Sequence, residues 1–155
     1  MSALALFGAS MLAASLSVAH AEEPSPAAHT VVKVDEAPAR AVPGGKARVM
    51  RLAGKEEGAK HAFFAVLELA PGARVPMHRD ATEEYIYILQ GTGKIIIDGT
   101  LHEVGPGHGI FMPAKAEVSF EATGNLPVRV VQVFAGQGPE TKYDKWQPVD
   151  RGTSP

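Results

Sequence analysis

The chain has no cysteine, which excludes disulfides, thiolate nucleophiles, Cys-ligated zinc and iron–sulfur centres. It has no excess of charge either, because 15 Lys and Arg face 17 Asp and Glu for a formal net charge of −2. No basic run is present that would follow a phosphate backbone or an anionic bilayer, so nucleic acid is not an expected partner. No glycine-rich loop opens a helix to cradle phosphate, and no serine stands in a strand-to-helix elbow. The glycines and lysine of "GTGKIII" fall inside a hairpin pattern and lack the helix N-terminus that would bind an anion. Helical periodicity is absent beyond the N-terminal apolar run, and no internal repeat is visible.

What remains is 155 residues of which 45% are apolar, enough for one domain with a substantial core. An uncharged apolar run over residues 3–18 leads into "VAHAEEPSP", where Ala19 and Ala21 form an A-x-A cleavage pattern. The run has no polar face, unlike a surface helix, and is short for a bilayer span. It therefore predicts a secretory signal, although no Lys or Arg precedes it. The expected organisation is a signal over residues 1–21, a Pro- and Ala-rich linker over 22–30, a barrel domain over 31–140 and a tail over 141–155. The mature protein is expected in the periplasm or outside the cell, free of the membrane.

From Thr30 onward, short segments rich in Val, Ile, Phe and Tyr alternate with Gly and Pro: "TVVKV", "ARVMRLA", "HAFFAVLEL", "EEYIYIL", "KIII", "TLHEV", "GIFMP", "AEVSFEA" and "VRVVQVFA". Evenly spaced strands with turn signals predict an all-β sandwich or barrel. Asp98-Gly99, between two of these segments, supplies the positive φ angles of a type I′ hairpin turn.

"PGARVPMHRDATEEYIYILQG" carries the titratable cluster. Alternation along a strand turns His78 and Asp80 the same way, and Glu84 arrives from the next strand after a bend at "ATE". Continuing from Glu84, Ile86 and Ile88 face inward while Tyr85, Tyr87 and Leu89 face out. Gln132 shares its parity with Val128, Val130 and Phe134, which puts a neutral amide in the cavity unless that parity is reversed. Ile86, Ile88, Met112, Val118 and Gln132 are thus the candidate ligand pocket. His61, aligned with Phe63, Ala65 and Leu67, is expected at the barrel's rim or core, and His102 and His108 at the surface. Arg74 and Arg79 are expected to be solvated, and Tyr143 and Trp146 to pack on the barrel's exterior.

Gly72, His78, Asp80, Glu84 and Gly91 fall on the first motif of the cupins, a family of small double-stranded β-helix barrels that this chain resembles. That motif runs Gly, five residues, His-x-His, three or four residues, Glu, six residues, Gly. Gly107 and Pro113 match the first half of the second motif, but Lys115 stands where Gly is usual and Val118 where the fourth metal ligand belongs. The resemblance implies a jelly-roll-like barrel, commonly a homodimer, around a divalent metal that members with all four ligands hold by three imidazoles and one carboxylate. Here one imidazole and two carboxylates remain. That harder, oxygen-rich set favours manganese or iron, weakly bound, and leaves open positions. Glu117, next to Val118, is a replacement ligand only if a bulge re-aims it.

Two readings stay open. The cluster is a reduced three-ligand metal site for acting on or binding a small organic molecule, or it is a set of hydrogen-bonded residues at the mouth of a metal-free binding pocket.

Overall fold

The computed structural model describes residues 29–149. The expected signal, nearly all of the linker and the last residues of the tail lie outside the described residues. Among the described residues there is no α-helix, and none is long and apolar enough to cross a membrane.

Eleven strands are present: β1 (Ala39–Ala41), β2 (Ala47–Ala53), β3 (Phe63–Leu69), β4 (Arg74–His78), β5 (Glu83–Gln90), β6 (Gly93–Ile97), β7 (Thr100–Val104), β8 (Gly109–Met112), β9 (Val118–Ala122), β10 (Val128–Ala135) and β11 (Gln147–Val149). They form a seven-stranded sheet, ordered β11-β1-β2-β3-β10-β5-β8, and a four-stranded sheet, ordered β4-β9-β6-β7. All pairings are antiparallel. The main core lies between the sheets and includes Phe63, Leu67, Ile88, Ile95, Val118, Val130 and Phe134. This is the expected all-β barrel.

Strand period explains most of the inward set. Along β10, Val128, Val130, Gln132 and Phe134 are buried while the residues between them are only partly so, as a two-residue alternation requires. On β5, Glu84 and Ile88 are buried, and Tyr85, Tyr87 and Leu89 are exposed. Asp98 and Gly99 have φ of 47° and 81°, the left-handed pair that the β6–β7 hairpin turn demands.

Three expectations are corrected. Thr30–Val34 is not a strand; Val32 and Val34 instead pack on a second small cluster, with Ala37, Ala39, Met50 and Val66. The segment half-buries these two valines over the outer side of the sheet instead of pairing at an edge, and leaves Val31 exposed. His61 is exposed, because β3 begins two residues later at Phe63 and the strand's parity does not extend to it. Tyr143 and Trp146 do not lie on the exterior. A 3-10 helix, Pro139–Lys145, brings Tyr143 into the main core at 6% exposure, with Trp146 packed beside it, and β11 then pairs with β1.

Candidate metal centre and cavity

His78 ends β4, and its orientation depends on a defect. Val75 pairs with Phe120 and His78 with Val118, so three steps on β4 match two on β9. Pro76 lies in this bulge, where its missing N–H interrupts the ladder. The extra residue lets Val75 and His78, which simple alternation would set on opposite faces, both line the cavity. Asp80 lies beyond the strand, with its carbonyl accepting from the Lys115 amide at 2.7 Å. Lys115 has φ of 67°, so the left-handed conformation usual for Gly at this motif position is kept by a lysine.

His78, Asp80 and Glu84 each offer a ligand atom within 4.8 Å of the others. They border a cavity of about 550 Å³ whose walls include Ile86, Ile88, Ile110, Met112, Phe120 and Trp146. Val118 and Gln132 line it too, so all five expected pocket residues face this space. Val118, 7% exposed and paired in register with His78, holds the corner where a fourth ligand would stand. Glu117 points elsewhere and accepts from Arg79 at 2.9 Å. Arg79 also donates to the Lys115 carbonyl at 2.7 Å, and is fixed at the cavity rim rather than merely solvated. Arg74 pairs with Glu121 in an exposed bridge. His102 and His108 are exposed, as expected.

The supporting bonds suit a metal. His78 Nδ1 lies 2.9 Å from the Pro76 carbonyl, which can only accept, so Nδ1 carries a proton and a neutral ring would leave the Nε2 lone pair for the cluster. Nε2 is 3.6 Å from Asp80 Oδ2, a spacing at which one ion could take a ligand atom from each. Glu84 Oε1 accepts from Gln132 Nε2 at 2.5 Å, and the Tyr143 hydroxyl donates to Gln132 Oε1 at 2.7 Å. This buried relay fixes one carboxylate oxygen and leaves the other for a further partner. One group competes: Lys142 Nζ donates to both Asp80 oxygens, at 2.8 and 2.7 Å.

The electrostatics follow from this packing. Burial pushes the Glu84 carboxyl above the ordinary range, against the smaller pull of the Gln132 bond and the Lys142 charge. The interaction with Asp80 raises His78, and burial opposes it. At Asp80, burial alone would raise the carboxyl, but His78 and Lys142 together outweigh it and hold the group below its ordinary value. Burial also raises the Tyr143 phenol far above its usual range, so it remains a donor at any physiological pH.

Residues 65–134 match the model of the cupin domain family. Protein SchB of Streptomyces halstedii is 28% identical over 102 residues, covering 65% of this chain and 73% of its own length. The dimethylsulfoniopropionate lyase DddW of Ruegeria pomeroyi is 31% identical over 64 residues, covering 41% of this chain and 42% of the lyase. The crystal structure of the polyketide cyclase RemF from Streptomyces resistomycificus superposes with a TM-score of 0.64 at 24% identity, over 78% of this chain and 85% of that one. Residues 65–134 form a cupin domain. Its relatives include proteins that act on small organic molecules, and its His-Asp-Glu group could hold a metal ion.

Lys142, Tyr143 and Trp146 are the residues of this cupin's site that sequence reasoning missed. Their one signal was "KYDKW", the only tryptophan one short turn after a tyrosine and a lysine.

Proposed function

We propose that this protein is an exported cupin that binds, and by the metal-dependent reading transforms, a small and largely apolar organic molecule at a three-ligand divalent-metal site. The observation that carries the proposal is the convergence of His78, Asp80 and Glu84 within 4.8 Å at the edge of an apolar cavity of about 550 Å³. A cavity of this size and lining suits a drug-sized organic ligand. Relatives named as a polyketide cyclase and a dimethylsulfoniopropionate lyase support a small-molecule substrate.

His78 Nε2, Asp80 and Glu84 would hold the ion, manganese or iron(II) by the hardness of the donor set. Bound there, the ion would supply Lewis-acid polarisation of a substrate oxygen. The chain's own residues do the rest. Gln132 and Tyr143 hold Glu84 in place, the aliphatic wall excludes water, and Trp146 closes one side of the cavity.

A second reading, a metal-free binding module, is favoured by one observation, the bidentate Lys142–Asp80 pair that satisfies Asp80 without an ion. Elemental analysis of protein purified without chelator separates the two, with titration calorimetry against Mn²⁺ and Fe²⁺. The proposal expects weak, exchangeable binding that Glu84→Gln abolishes, because an amide is a far poorer ligand than a carboxylate. Val118→His should tighten it by filling the fourth corner. Absence of binding to both the parent and Val118→His sinks the metal reading and leaves the binding module. Cell fractionation tests export.

A further inference from the structure

We propose that Lys142 is a specificity-determining residue: its ammonium holds Asp80 while no ligand is present and transfers to an anionic group of the organic ligand when a divalent metal takes Asp80. The inference rests on the metal reading above and names the ligand class that reading leaves open, an apolar molecule with a single anionic end.

Geometry sets up the exchange. Lys142 Nζ is 2.7 Å from Asp80 Oδ2, and the same oxygen lies 3.6 Å from His78 Nε2. The ammonium therefore occupies the carboxylate that the metal needs. A metal ion and an ammonium gathered at one carboxylate repel each other strongly in a partly buried site. One of them must give up Asp80.

Charge then identifies what the displaced ammonium requires. With the ion bound, its two charges and that of Lys142 face only the two negative charges of Asp80 and Glu84. A single positive charge is left over. The two guanidiniums that border the cavity, Arg74 and Arg79, are already paired with Glu121 and Glu117, and the exposed Lys46 adjoins the opposite end of β3 from the cluster. Without the ion, Lys142 and Asp80 neutralise one another, and an external anion has little claim on the ammonium. Anion and metal are thus expected to bind together, each raising the other's affinity by the same factor.

The surroundings select the rest of the ligand. Ile86, Ile110, Met112, Phe120 and Trp146 line the cavity that Lys142 also borders, which favours an apolar body. The Lys142 ammonium lies 4.8 Å from the centre of the Phe134 ring, a partner it can keep after leaving Asp80.

Calorimetry on the full chain tests this with Mn²⁺ alone, Mn²⁺ with hexanoate, and Mn²⁺ with hexanol as the neutral analogue. Hexanoate should tighten Mn²⁺ binding about tenfold or more, and hexanol should not. Lys142→Met should bind Mn²⁺ more tightly than the parent without hexanoate and should lose the hexanoate effect. Lys142→Gln, which keeps a donor toward Asp80 without the charge, should do the same; its circular dichroism and Trp146 fluorescence check the fold. The inference is overturned if hexanoate leaves the parent's Mn²⁺ affinity unchanged, or if both variants bind Mn²⁺ no tighter than the parent. Failure of parent and variants alike to bind Mn²⁺ overturns the metal reading itself, and with it this role for Lys142.

Discussion

Glu84 sits at 6% exposure with one hydrogen bond from a neutral amide, an arrangement that disfavours its charge unless a cation joins it. In the metal-free protein Glu84→Gln should therefore stabilise the fold, by about 1 kcal/mol or ~4 °C, since the new amide oxygen can still accept from Gln132. In excess Mn²⁺ the order should reverse, because only the parent gains stability from the ion. Thermal melts in chelator and in Mn²⁺ check both halves. A pH dependence follows with a defined sign. Folded-state values raised above the ordinary 4.5 for Glu84 and 6.5 for His78 mean that the folded protein retains protons that the unfolded chain has released. Their stabilising contributions are full below those values and are lost as pH rises through the raised ones. Asp80, held below its ordinary 3.8, acts oppositely, and its contribution is lost only in acid. Metal-free protein should thus lose stability as pH rises through and above the ordinary histidine value of 6.5, as chemical denaturation at each pH would reveal. A flat profile in that window contradicts the assigned contacts.

The same residue scale separates what could be read from the sequence and what could not. Ile86, Ile88 and Gln132 were legible because β5 and β10 keep a two-residue period across them. Lys142, Tyr143 and Trp146 were not. They reach the cavity on a short 3-10 segment whose position follows from β11 pairing with β1 at the other end of the described chain, a tertiary fact with no local pattern.

At the scale of elements, two backbone irregularities set the site, and neither has a periodic signature. The Pro76 bulge aims His78, so a one-residue deletion there should turn the imidazole away from Glu84. The turn before β9 holds Lys115 in a left-handed conformation while its amide bonds to Asp80 and its carbonyl to Arg79. A residue with a side chain pays about 1–2 kcal/mol there, so Lys115→Gly should stabilise the protein by up to ~1 kcal/mol after its greater unfolded-state entropy is subtracted. Lys115→Val, β-branched at positive φ, should destabilise it by more than that gain. Urea titrations of the three proteins give the order. If Gly is the least stable, the turn does not strain the lysine. The departure from the family motif at Lys115 is thus one of side chain and not of backbone, whereas Val118 removes a ligand outright.

For the whole molecule, the unbalanced feature is the outer face of the large sheet. Tyr85, Tyr87, Leu89 and Phe111 are 44%, 50%, 45% and 52% exposed. Tyr85 and Phe111 pair across β5 and β8, with ring centres 5.2 Å apart, so these side chains form a continuous apolar strip. β8 is also the sheet's edge, which leaves backbone donors and acceptors beside the strip for a neighbour. An apolar strip bordering an open strand edge is suited to a second copy of itself about a two-fold axis, where strip meets strip and edge meets edge. A homodimer through this face is the expected state. Sedimentation equilibrium should give twice the chain mass for the parent, and Tyr87→Arg combined with Phe111→Arg should give the monomer with its β-sheet circular dichroism intact. None of these four side chains lines the cavity, so the monomeric double variant should keep the parent's Mn²⁺ affinity. A parent that stays monomeric at high concentration, or a double variant that stays dimeric, rules this face out as the dimer contact.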